Sequence, residues 1–163
     1  MSEKNFFNFN LKSLQHFLVK DLEIEKKKVS MRSKQIWQSV YKKGSFEINN
    51  LTTFPLELRS KLNSLISLQM PKIVNTQTSN DGTIKWLIKL FDGNEVECVY
   101  IPEKTRATLC ISSQVGCTLN CRFCHTGTQR LVKNLSFAEI VNQVMIAKEQ
   151  INDWGEQKKI TNI

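Results

Sequence analysis

The chain has 163 residues, 40% of them hydrophobic and 23% charged, and carries a net charge of +8. That apolar content suffices for one ordinary domain or two small ones, and the absence of any run of about 18 apolar residues excludes a spanning helix. The polar opening MSEKNFFNFNLKSLQHF lacks the apolar stretch of a secretory signal, so a cytoplasmic location is expected.

The first third reads as helical. Leu14, Phe17, Leu18 and Leu22 recur at helical spacing, and the charged stretch EIEKKK follows. A second helix is predicted from about Ser30 to Gly44, burying Ile36, Trp37, Val40 and Tyr41, with the glycine as its left-handed cap. A third follows Pro55, with Leu58, Leu62, Leu65 and Ile66 on one side. These three helices make a small accessory domain over residues 1–70. It is basic: residues 1–43 hold ten basic and four acidic side chains. Such an excess favours a polyanion such as nucleic acid, and it equally describes a solvated face.

The pattern then changes. Ile73–Gln77, TIKWLIKLF (83–91) and EVECVYI (95–101) read as strands, with Ile84, Trp86, Ile88 and Leu90 on one face and Val96, Cys98 and Tyr100 on one face. Asn80-Asp81-Gly82 and Asp92-Gly93-Asn94 are turn sequences, so residues 71–105 form a β-meander. After a loop from Pro102 to Arg106, RATLCIS (106–112) resumes as a strand. A helix begins after Ser136, which has capping-box spacing to Glu139, while Leu135 and Ile140 have staple spacing. Its buried face is read as Phe137, Ile140, Val141, Val144, Met145 and Ile151. Strand, connecting segment and helix are the opening βα unit of an α/β domain over 106–163, and KKITNI at the end resembles the next strand. The fold class is therefore an α+β accessory region leading into the start of an incomplete α/β barrel.

Between that strand and that helix lies CTLNCRFCH. Five cysteines occur, Cys98, Cys110, Cys117, Cys121 and Cys124, and in a reducing compartment such a clustered set reads as metal-binding or catalytic. A closed zinc site asks for four ligands, commonly from two distant pairs, and no second pair exists. His125 directly follows Cys124, which leaves little freedom to point both at one ion. The usual four-cysteine ligation of an iron–sulfur cluster also lacks a ligand. A cubane held by three thiolates would keep one iron open, as catalysis requires. A non-catalytic iron–sulfur RNA-binding remnant and a zinc-stabilised RNA-binding module stand as the alternatives.

CTLNCRFC resembles the CxxxCxΦC signature of radical-SAM enzymes, with Phe123 as the aromatic residue. That resemblance implies that Cys117, Cys121 and Cys124 hold a 4Fe-4S cluster whose open iron binds S-adenosylmethionine. The longer stretch YIPEKTRATLCISSQVGCTLNCRFCHTGTQRLVKNLSFAEIVNQV is similar to the RlmN/Cfr-type radical-SAM RNA methyltransferases, and to their RlmN branch above all. The likeness extends more weakly through SMRSKQIWQSVY to the N-terminal region, where that family carries an RNA-contacting domain. It implies methylation of carbon 2 of adenosine in 23S rRNA and tRNA, two S-adenosylmethionines per product, and an electron donor such as flavodoxin.

By the same resemblance Cys110 resolves a covalent enzyme–RNA adduct and Glu97 is the proton acceptor. From the residues alone, Cys110 reads as a buried strand cysteine and Glu97 as an exposed strand residue. Cys98 reads as core and His125 as structural or a pocket contact. Gly116 and Gly127 read either as close-approach glycines beside the cluster or as ordinary turn residues. Arg122, Arg130 and Lys133 are candidates for RNA phosphates or for cluster and cofactor charge, or for plain solvation. The Gly-Glu-Pro stretch that family members use toward the cofactor's amino group, and their methyl-accepting cysteine, are absent from the 163 residues. The chain therefore reads as an N-terminal portion, expected to be inactive alone, through gene decay, an abbreviated sequence, or a split gene with a separately encoded C-terminal half.

Overall fold

A computed structural model describes residues 4–118, 129–156 and 158–163 of the chain. The chain divides into two compact units, Met1–Gln69 and Met70–Ile163. No helix among the described residues is long and apolar enough to cross a membrane.

In the first unit, β1 (Lys4–Asn5) leads through a short 3-10 turn to α1 (Leu11–Lys20). Asn10 starts that helix with a reciprocal cap: its side chain accepts from Ser13 N at 2.8 Å, and Ser13 Oγ accepts from Asn10 N at 2.9 Å. α2 (Lys26–Lys43) packs along α1, and Gly44 ends it at φ 64°, its N–H bonded to the carbonyls of Ser39 and Val40. Leu14, Phe17, Leu18, Ile36 and Val40 are buried, with Phe6 and Phe7 stacked against Tyr41. α2 begins four residues before the predicted Ser30, and Trp37 and Tyr41 are only half-buried. α3 (Leu56–Asn63) buries Leu62 alone. The predicted continuation through Leu65 and Ile66 is corrected. Ile66–Ser67 forms β2, which pairs in parallel with β1, a partner some sixty residues away that no local pattern announces.

In the second unit, β3 (Lys72–Thr78), β4 (Ile84–Lys89), β5 (Glu95–Pro102) and β6 (Ala107–Cys110) form an antiparallel sheet in sequence order. Its first two turns are closed by Asp81 and Asp92, whose carboxylates accept from the backbone of Thr83 and Asn94. Trp86, Ile88, Leu90, Val96, Cys98 and Leu109 fill one face. Against that face packs α4 (Phe137–Gln150), with Ile146 and Ala147 in the same core. The predicted capping box is present: Ser136 N donates to Glu139 Oε2 at 2.7 Å, and Ser136 Oγ accepts from Glu139 N at 3.3 Å.

The buried stripe of α4 differs from the predicted one. Phe137 is 62% exposed; Met145 is buried as predicted and Ile140, Val144 and Ile151 pack half-buried against the core, but Ala138, Asn142, Gln143, Ile146 and Ala147 are buried as well. After α4 the chain returns parallel to β6, with Thr108 bridged to Asn162 and Leu109 N donating to Asn162 O at 2.9 Å. β6, α4 and this returning segment thus compose a βαβ unit. Asp153, 1% exposed, fixes the turn between them by accepting from Lys159 N at 2.6 Å and pairing with Lys148 at 3.3 Å.

Candidate functional site

The site begins with strand parity. Val99 on β5 pairs with Cys110 on β6, while Glu97 on β5 pairs with Leu87 on β4. Alternation turns all four side chains away from the core face occupied by Trp86, Val96, Cys98 and Leu109. One transverse row across the sheet reads Gln77, Lys85, Val99, Cys110, and the next reads Asn75, Leu87, Glu97. Cys110 and Glu97 therefore share the outer face as diagonal neighbours, a relation that spans about 7–8 Å in a sheet. Both are exposed. Lys85 Nζ pairs with Glu97 Oε1 at 2.9 Å and gives that carboxylate a defined direction.

The other thiol on these strands behaves in the opposite way. Cys98 is fully buried, and burial, followed by the charge of nearby Cys110, pushes its pKa up to about 12. Its Sγ faces Gln143 O at 4.0 Å. It is a core thiol, inert toward proton transfer at neutral pH.

The cysteine segment leaves this sheet from a closed stem. β7 (Gln114–Val115) pairs antiparallel with β8 (Lys133–Asn134). Val132 N donates to Val115 O at 2.8 Å, Leu135 N to Ser113 O at 2.9 Å and Cys117 N to Gln129 O at 3.2 Å. Gly116 sits inside the stem at φ 74°, and a Cβ there would stand 2.0 Å from Arg130 O. Its glycine requirement comes from the opposite strand of the stem.

Two supports hold the stem to the body. Gln143, fully buried on α4, accepts from Ser112 N at 2.8 Å and donates to Ser112 O at 2.8 Å and Glu139 O at 3.2 Å. Ser112 Oγ in turn donates to Glu97 O at 2.9 Å. The second support is Lys133, which pairs with Asp92 and, at 2.7 Å, with Glu139. The Lys133 ammonium, then Asn94, holds Asp92 down to about 2. Burial pulls Glu139 up, but Lys133 and the Ser136 cap outweigh it and leave its carboxyl lowered. A cleft of ≈ 370 Å³ opens beside the stem, lined by Leu87, Glu95, Glu97, Ser112, Gln114, Gly116 and Gln129 among others.

No family model matches the chain. Individual relatives do. A dual-specificity RNA methyltransferase RlmN of Rhodopseudomonas palustris strain BisB5 is 50% identical over 134 residues, which are 78% of this chain and 34% of the relative. Its counterpart in Bradyrhizobium sp. strain ORS 278 is 46% identical over 155 residues, 88% of this chain and 38% of the relative. Among solved structures, a radical SAM methyltransferase from Sphaerobacter thermophilus superposes with a TM-score of 0.82 at 31% identity, covering 98% of this chain and 45% of the other. Over its span the chain is similar to the RlmN-type radical SAM methyltransferases. That span is between a third and two fifths of the length of the two RlmN relatives.

In this chain the candidate residues divide into three groups. Glu97 and Cys110 come together on one face. Cys117 stands half-buried at the end of the stem. Cys121 and Cys124 lie outside the described residues, as do Arg122, Phe123, His125 and Gly127. Two sequence readings change. Cys110 is exposed, so the buried-strand reading does not hold for it. Lys133 is engaged by two carboxylates and is not a spare cation for phosphate. Gln143, Ser112 and Lys85 escaped the sequence reading. A signal for the first existed: a glutamine one helical turn after the capping Glu139, between Ile140 and Val144 on a face that is otherwise apolar.

Proposed function

We propose that this chain contributes the cluster-binding part of a radical SAM methyltransferase that methylates carbon 2 of adenosine in 23S rRNA and in tRNA. The single observation that carries the reading is the shared outer face of Glu97 and Cys110, beside a cleft that Gly116, the neighbour of Cys117, also lines. One side chain there can take a proton and another can offer a thiolate, and both are exposed at the surface.

The donor set suits a 4Fe-4S cluster. Cys117, Cys121 and Cys124 supply three thiolates within eight residues, and the backbone of the first is held by Gln129. With S-adenosylmethionine bound, such a cluster supplies the one-electron chemistry that an electron-poor ring carbon needs, since that carbon is no nucleophile for an ordinary methyl donor. The chain's own residues would do the rest of what falls to it. Glu97, oriented by Lys85, would accept the proton released from carbon 2. Cys110 would attack the sulfur of the covalent enzyme–RNA link, forming an S–S bond as the sulfur–CH2 bond breaks, and the freed CH2 carbon would take up a proton to become the methyl group of the released base. The stem would keep the cysteine segment in register with both. The basic helix α2 supports a polyanionic substrate.

The test is anaerobic reconstitution of the 163-residue chain. The reading expects about four irons and four sulfides per chain and a brown absorbance that Cys117→Ala abolishes. One tightly bound zinc, with no sulfide, refutes it in favour of a zinc-stabilised RNA-binding module.

A further inference from the structure

The outer face of the sheet holds more than the two candidate catalytic residues. Asn75, Gln77, Lys85, Leu87 and Glu97 line a small groove on it, and Leu87 and Glu97 also line the larger cleft beside the stem. The two depressions therefore share a wall at Leu87 and Glu97, and taken together they make a track from Gln129 and Gln114 at the stem, past Glu97, to Asn75 and Gln77 on β3. At about 4.8 Å per strand spacing, the distance from β3 to β6 is roughly 14 Å.

The chemistry of this track is specific. Four carboxamides stand along it: Asn75 and Gln77 at one end, and at the other Gln129 and Gln114, whose Nε2 already donates to Asn134 Oδ1 at 2.7 Å. A carboxamide presents a donor and an acceptor together, the pattern that matches a nucleobase edge. Leu87 and Val99 lie between the two ends on the same face and offer an apolar floor on which a planar ring can rest. In the next outer-face row Lys72 of β3 pairs with Lys89 of β4, which in turn stands opposite Glu95 of β5, so the two lysines lie at the β3 side of the row and the carboxylate at the cleft side. Ammonium groups beside a track of amides suit a phosphate backbone with its bases turned inward.

We propose that unpaired nucleotides flanking the target adenosine lie along this track, with their bases read by Asn75 and Gln77 and resting on Leu87. The inference rests on the RNA methyltransferase reading above and adds a substrate-recognition surface to it. It explains why β3, an edge strand far from the cysteine segment in sequence, carries amides on the same face as Glu97 and Cys110. The track can serve single-stranded RNA, because a paired duplex turns its base edges inward.

The experiment uses the 163-residue chain and two fluorescent RNA hairpins, one with an unpaired adenosine-containing loop and one with the same loop made abasic. The wild type is expected to prefer the intact loop by about tenfold or more. Asn75→Ala/Gln77→Ala is expected to weaken intact-loop binding about tenfold and to leave abasic binding unchanged, with circular dichroism and melting temperature as in the wild type. Leu87→Glu is expected to remove the preference as well. A chain that loads iron and sulfide but binds both hairpins indifferently to these substitutions overturns the track and spares the reading of the site. A chain that loads only zinc overturns that reading and the inference drawn from it.

Discussion

Replacing Gly116 by alanine isolates what the stem does for the site. Two costs combine there. The φ of 74° lies in the left-handed region, where a side chain costs roughly 1–2 kcal/mol. The new Cβ would also meet Arg130 O at 2.0 Å and Arg130 C at 2.7 Å, backbone atoms that cannot swing aside. Overpacking of this kind typically costs about 1–3 kcal/mol, or the stem opens to relieve it. Gly116→Ala should therefore lose about 2–5 kcal/mol in urea unfolding. Gly93 supplies the control, because its φ is 89° and a Cβ there meets nothing within 4 Å. Gly93→Ala should lose only the backbone part, about 1–2 kcal/mol. Iron and sulfide content after anaerobic reconstitution is the second readout, expected to fall for Gly116→Ala and to stay whole for Gly93→Ala. Equal destabilisation by the two substitutions would refute the role given to the Arg130 contact.

Gln143→Leu keeps the volume of the buried side chain but strips the partners from Ser112 N and O, so a loss of about 2 kcal/mol or more is expected in urea unfolding, and an unchanged midpoint would contradict the bracing role. In a chain with Cys117, Cys121 and Cys124 replaced by serine, a thiol reagent at pH 8 should label Cys110 at once and Cys98 only on unfolding, since Cys98 is buried with its pKa near 12. Two rapidly labelled thiols would refute that contrast. Burial raises the Asp153 carboxyl, yet the bonds from Lys159 N and Lys148 outweigh it and leave the pKa lowered. Such a depressed group stabilises the fold above its unfolded value of about 4, and that stability is lost as pH falls through the folded one. Asp153→Asn should accordingly flatten the acid limb of a stability–pH curve, and parallel acid limbs in the two proteins would count against it.

The sheet was legible because its signal is local: Ile84, Trp86, Ile88 and Leu90 alternate, and turn sequences separate the runs. The start of α4 was legible for the same reason, in Ser136 and Glu139. Three misreadings share one cause, which is that tertiary partners override local pattern. The buried stripe of α4 was misjudged because Asn142 and Gln143 are buried polar residues that an apolar pattern skips. Leu65 and Ile66 were read into α3 because their partner strand lies at the other end of the unit. Lys133 looked available because Asp92 is forty-one residues away. For the site, the cysteine spacing stood plainly in the sequence, whereas the role of Gly116 depended on a carbonyl fourteen residues later.

The pairing of Val99 with Cys110 has a further consequence for how such a chain can vary. Side chains in a strand obey an odd–even rule, so the face that Cys110 occupies is settled by parity alone. Deleting one residue inside β6 would send Cys110 into the core and turn Leu109 outward, and deleting one inside β5 would turn Cys98 outward. Length changes are expected to be confined to the exposed turn at Glu103–Arg106, where they alter no parity. Lineages of this chain should therefore differ freely in that turn and hold the residue count of the strands on either side of it constant.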